Sequence, residues 1–171
     1  RLDRPVGGVM VFARTSKAAS RLSDQIRNGE LEKSYLAVVH GKIPEPSGRL
    51  TDYLVKDNAT NTVSVTQNAD EGKKAVLDFN VIDSKEGLTL VKINLVTGRP
   101  HQIRVQFSNM GHPLYGDQKY GQNLNRHGMQ LALWSCQLNF THPTLKVRLS
   151  FNSYPKRVYP WDLFDYPGQL C

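Results

Sequence analysis

Apolar positions along this chain fall into short runs and alternations more than into long helical stripes, which points to strands as the main elements. Ala75, Leu77, Phe79 and Val81 alternate with polar residues, and Glu86-Gly87 then turns the chain into the apolar stretch 88–96, a predicted hairpin. Residues 34–39 predict a strand ending at Gly41, and Pro44, Pro46, Ser47 and Gly48 predict a loop before a strand over 50–55. Residues 62–66 are rich in β-formers, and 129–140 and 147–151 predict the last strong strands. Near the start, Val9-Met10-Val11-Phe12 suits a buried strand. Thr15 or Ser16 can cap a following helix with Ala19, Leu22 and Ile26 on one face, and Asn28-Gly29 stops it.

The segment after Thr97-Gly98 fits two periods. Ile103, Val105 and Phe107 alternate as in a strand, whereas Ile103, Phe107 and Met110 fit a helix. Pro100 suits a first helical turn and Gly111 suits the position past a last one, so a helix is expected, with His101 and Arg104 on one stripe. Gly111-His112-Pro113 and Tyr115-Gly116-Asp117 are expected turns. Many strands and few helices in hairpin order give an α+β fold around a mixed, largely antiparallel sheet. No linker or repeat divides the chain, so residues 1–171 are expected to form one domain.

Composition narrows the function classes only a little. The 171 residues carry 39% apolar and 22% charged side chains, ordinary for a globular protein. No apolar run is long enough to span a membrane, and the opening Arg-Leu-Asp-Arg has no signal-peptide core. Cys136 and Cys171 make no disulfide framework, and no Cys/His spacing fits a metal site, so a reducing cytoplasmic setting and no metal are expected. The distribution of the +7 net charge is more telling. Residues 1–42 hold eight basic against four acidic side chains, and residues 43–98 hold six against eight. Residues 99–157 hold eight basic side chains against the single acid Asp117. Such uneven positive charge suits a polyanion binder, although mildly basic proteins are common.

Three segments carry candidate chemistry. Asp3 in Arg1-Leu2-Asp3-Arg4 precedes Pro5, Gly7 and Gly8, and its bland reading is a turn aspartate bonding its own backbone. The functional reading is a nucleophilic or basic carboxylate, kept ionised by a nearby arginine as substrate expels water. Tyr35 in Lys33-Ser34-Tyr35-Leu36-Ala37-Val38 shares a strand face with Ala37 and Val39, where core packing is the ordinary role. Arg104 in Thr97-Gly98-Arg99-Pro100-His101-Gln102-Ile103-Arg104 is blandly a solvated helix arginine, and His101 a cap.

Together these segments resemble the RluA-like family of RNA pseudouridine synthases, which carries an R-L-D segment, a K-x-Y strand and a G-R-x-H-Q-[IL]-R segment in this order. Gly111-His112-Pro113 with Gly116-Asp117, and Phe140-Thr141-His142-Pro143, extend the resemblance to about residue 152. It implies isomerisation of uridines in ribosomal or transfer RNA, flipped out of their stack, without a cofactor. It implies Asp3 as the catalytic carboxylate, Arg104 as its ion-pair partner and Tyr35 as the residue against the flipped base. Arg1, Arg4, Arg99, His101, Gln102, Lys119 and Arg126 are then expected to bind or frame the RNA, and the protein to act as a monomer. Family members usually carry a histidine before R-L-D and an upstream Lys-Pro strand, so the N-terminal strands of that fold are expected to be missing from this chain. Trp134 stands where many relatives have histidine, and Gly7 where many have serine. The competing readings are a catalytically inactive RNA-binding module of the same fold and a hydrolase using a second carboxylate, for which no comparable acid is present.

Overall fold

The computed structural model describes residues 2–165. The elements run β1 (Gly7–Gly8), α1 (Ser16–Arg27), β2 (Glu32–His40), β3 (Ser47–Asp57), β4 (Thr62–Thr66), β5 (Lys73–Lys85), β6 (Leu88–Leu95), α2 (Gln102–Asn109), β7 (Leu133–Thr141) and β8 (Arg148–Asn152), followed by a 3-10 turn at Trp161–Leu163. All eight strands join one sheet in the order β1-β7-β2-β6-β5-β3-β4, with β8 also on β7. Only β1 runs parallel to its partner, β7; the other pairs are antiparallel. This is the α+β class with a mixed, largely antiparallel sheet. Among the described residues no helix is long and apolar enough to cross a membrane.

The central strands are apolar on both faces because the sheet is covered on both sides. Tyr35, Ala37 and Val39 of β2 pack with Leu77, Phe79, Val91 and Ile93, and α2 lays Ile103 and Phe107 on that face. Leu36 and Val38 turn the other way, onto Leu90, Cys136, Trp161 and Phe164. The Glu86-Gly87 turn places both residues at positive φ, 52° and 72°, and closes the expected β5–β6 hairpin, whose register shifts once between Val81 and Asp83.

Two local expectations change. Val9-Met10-Val11-Phe12 is not a buried strand: the paired residues lie just before it, and Met10 is 43% and Phe12 77% exposed. Helix α1 is capped by Thr15, whose side chain accepts from the Ala18 N–H, and it ends at Asn28, but Ile26 is 54% exposed. Leu22 and Gln25 are its buried residues. The Gln25 amide completes a strand-like pair with Thr141, donating to its carbonyl and accepting from its N–H, both at 2.8 Å. With both of these bonds made, the Gln25 amide can be buried on the inner face of the helix.

Candidate active site

Asp3 reaches the sheet through a tight turn. The Val6 N–H donates to the Asp3 carbonyl at 3.0 Å, and the chain then enters β1 alongside β7. Gly8 holds φ at 119°, and a Cβ there would overlap the Ser135 backbone oxygen, so only glycine lets the segment lie this close. The turn thus uses the Asp3 main chain and leaves its carboxylate, 27% exposed, directed inward.

The cation that meets it is anchored from the other side. The Arg104 side chain extends from α2 and is buried, with the residue 7% exposed. Its Nε and Nη2 donate to the two Asp117 oxygens at 2.7 and 2.8 Å, while Nη1 donates to Asp3 Oδ2 at 3.2 Å. The two bonds to Asp117 form a fork-to-fork pair, and the Tyr120 ring lies 5.1 Å beneath the guanidinium carbon. Burial alone would push the Asp117 carboxyl up. The bonds from Arg104, with the Lys119 and Tyr120 backbone N–H groups, overcome it and hold the group below the usual carboxylate range. Burial likewise opposes the charge on Arg104, but Asp117 and then Asp3 more than offset it.

His101 caps α2 at a φ of 52°, a conformation that non-glycine residues rarely adopt. Burial is the main cause that moves its pKa below 6.5; Asp3 pulls the other way, and Arg104 and Lys119 add to the lowering. The ring is therefore neutral at neutral pH. The Tyr120 hydroxyl accepts from the Val63 N–H at 3.0 Å and lies 2.6 Å from His101 Nδ1, so its own proton is available for that nitrogen. The tautomer in which Nδ1 accepts that proton carries its own on Nε2, 4.0 Å from Asp3 Oδ2.

Tyr35 belongs to the core and to the site at once. It packs with Ala37 and Val39 and lines a cleft of about 410 Å³ together with Asp3, His101 and Arg104. Burial raises its pKa, the Ser135 side chain opposes this, and the Asp3 charge adds to it, so the phenol keeps its proton. A carboxylate clamped to a buried arginine beside an aromatic wall can hold a planar polar ligand and work on a bond beneath it.

Comparison with known proteins adds that residues 1–109 match the RNA pseudouridylate synthase family. The chain belongs to that family. A Bacillus subtilis protein named uncharacterized RNA pseudouridine synthase YjbO is 38% identical over 160 residues, covering 90% of this chain and 53% of its own length. Ribosomal large subunit pseudouridine synthase C of Haemophilus influenzae is 31% identical over 159 residues, covering 90% and 49%. The chain thus spans about half the length of the curated relatives it matches. The fold is also that of human RNA pseudouridylate synthase domain containing 4, with a TM-score of 0.76 at 23% identity, covering 91% of this chain and 70% of that one. Human RNA pseudouridylate synthase domain containing 1 gives 0.73 at 22% identity, covering 88% and 65%.

Among the residues expected in this family's site, Asp3, Tyr35, Arg104 and His101 come together. Arg99 lines the same cleft and donates through Nε to the Lys74 carbonyl at 2.9 Å. Gln102 faces inward, 3% exposed. Its amide oxygen accepts from the Thr97 hydroxyl and the Arg99 N–H, and its nitrogen donates to the Val76 carbonyl. It frames the loop before α2 and lines the cleft beside Arg99 and His101. Arg4 and Arg126 are exposed, and neither lines the cleft. The Lys119 ammonium reaches the Asn61 carbonyl at 2.7 Å, outside the cleft lining but close enough for His101 to feel its charge. Arg1 lies outside the described residues. Asp117 and Tyr120 are the supporting residues that sequence reasoning missed. The one usable signal was that Asp117 is the only acid in a strongly basic block.

Proposed function

We propose that this chain carries out uridine isomerisation within RNA, with Asp3 as the catalytic carboxylate, Arg104 as its ion-pair partner and Tyr35 against the flipped base. The observation that carries the reading is the Asp3–Arg104 pair at 3.2 Å, on the wall that also presents Tyr35. Isomerisation breaks the N-glycosidic bond, turns the uracil and joins its C5 to the sugar carbon. C5 gives up a proton and N1 gains one, so atoms and charge balance. Arg104 holds the Asp3 carboxylate in place as the nucleotide displaces water, in position to act at the ribose or the base. Tyr35, protonated and apolar on its face, offers a surface for the base and a hydroxyl near the sugar.

The cleft volume lies within the usual range for small-ligand sites and is too small for a duplex, so the target nucleotide must leave its stack to enter. The names of the relatives favour ribosomal RNA over transfer RNA as the substrate. Catalysis by one chain in the cytoplasm, with Arg1, Arg4, Lys119 and Arg126 holding outer phosphates, completes the proposal.

The test is Asp3→Asn in the full-length protein, read by pseudouridine formation and by RNA affinity. Conversion should vanish while affinity stays within about three-fold, because phosphate contacts dominate binding. Substantial conversion by the variant would end the mechanism. A wild-type protein that binds RNA but converts no uridine would favour the inactive binding module.

A further inference from the structure

Lys33 stands two residues before Tyr35 on β2, so strand alternation turns both side chains to one face. Both line the cleft that contains Asp3. The Lys33 ammonium is tucked against the loop leading into α2: a Cβ on Gly98 would stand 3.0 Å from its Nζ. Arg99, the next residue after Gly98, fixes its Nε on the Lys74 carbonyl. Lys33, Gly98 and Arg99 all line the cleft.

Their surroundings differ from those of Arg104. Arg104 meets two carboxylates, whereas among the described residues none pairs with Lys33 or with Arg99. Burial lowers the Lys33 pKa, and no neighbouring charge offsets that effect. A partly buried lysine without a counter-ion destabilises the folded state and becomes favourable once an anion arrives. The surrounding wall is mostly apolar, contributed by side chains such as Leu31, Leu95 and Leu138. A neutral uracil carbonyl would leave both positive charges uncompensated there, whereas a phosphodiester brings one negative charge for them to share.

We propose that Lys33 and Arg99, beside Gly98, form the site for a backbone phosphate adjoining the target uridine. This rests on the reading of the cleft as an RNA uridine site. Lysine supplies a compact point charge and arginine a fork, a combination suited to one tetrahedral anion. A side chain at position 98 would come within 3.0 Å of the ammonium, which could move aside by a few tenths of an ångström.

The experiment uses the full-length protein and an RNA that it converts, made either unmodified or with a neutral methylphosphonate on one side of the target uridine. Lys33→Met should weaken binding of the unmodified RNA about ten-fold and flatten the log-affinity against log-salt slope by about 0.7, the loss of one contact to single-stranded RNA. Affinity should fall more than the saturating single-turnover rate, and Lys33→Arg should recover most of it. On one of the two methylphosphonate RNAs, Lys33→Met and wild type should bind equally. Arg99→Gln, at a half-buried position on a loop outside the apolar core, should repeat the pattern even if Lys33→Met proved unfolded by circular dichroism.

Equal affinity of Lys33→Met and wild type for unmodified RNA would overturn the inference while leaving the uridine site standing. A loss that persists on both methylphosphonate RNAs, or a saturating rate that falls further than affinity, would move Lys33 to the base and also overturn it. A wild-type protein with no affinity for uridine-containing RNA would remove the parent reading, and this one with it.

Discussion

Arg104 and Asp3 meet at 3.2 Å, yet they arrive there on unlike supports. Arg104 comes from a regular helix and is tied twice to buried Asp117, with the Tyr120 ring beneath it. Asp3 comes from one turn and a two-residue strand, held to β7 where Gly8 allows the backbones to approach. The cation is thus part of the folded core, while the carboxylate is positioned by a thin strip of main chain. A site built this way should let chemistry be removed at Asp3 without unfolding, whereas the arginine end should fail in stability and activity together.

The sharpest break is Asp117→Asn. It leaves Arg104 buried with only partly exposed Asp3 to balance it, and loss of one partner from a buried pair costs about 3–5 kcal/mol. Urea unfolding should show that loss, while Asp3→Asn should change stability by less than about 1 kcal/mol. Similar values for the two variants would erase the difference between the ends.

Gly8→Ala attacks the other support. Its added Cβ meets the Ser135 backbone at a φ of 119°, and strain of this kind is worth about 1–3 kcal/mol. Conversion should fall by more than the stability loss accounts for, since Asp3 shifts while Arg104 stays. Full activity in a stable Gly8→Ala protein would mean that β1 does not position the carboxylate.

Tyr120→Phe removes the hydroxyl shared by His101 and the Val63 N–H but keeps the ring under Arg104. About 1 kcal/mol should be lost, with the activity profile shifted in pH, because the His101 tautomer is no longer set. The smallest effect is the pH dependence of His101 itself. Its folded pKa lies below the ordinary 6.5, so the folded state disfavours protonation. That contribution is intact above about pH 6.5 and is lost as pH falls through the folded value. Replacing His101 with Gln should flatten this part of the stability curve, measured by thermal unfolding from neutral to mildly acidic pH.

The strands with sequence-adjacent partners were legible. Glu86-Gly87 and the alternation of residues 75–81 define their hairpin locally, and β4 occupies the stretch its β-formers predict. The failures share one cause, a distant partner. Val9-Met10-Val11-Phe12 has the composition of a strand, but the ladder with β7 forms at Gly7–Gly8, residues that local rules assign to loops. Gln25 is buried because Thr141 satisfies its amide, and nothing near residue 25 announces that. Arg104 reads as a surface residue until Asp117 is placed beside it. The local order of the site was visible, whereas its supporting groups required the fold.

One pairing in the sheet ties two positions 127 residues apart into a single packing unit. Gly7 is the cross-strand neighbour of Trp134, and a Cβ at position 7 would overlap the indole. Position 7 and the Trp134 side chain therefore compete for one shared volume. A serine introduced at 7 collides with the ring, while a histidine introduced at 134 opens space that a serine can fill. The two positions are therefore coupled: a larger residue at 7 is accommodated only where the side chain at 134 is made smaller.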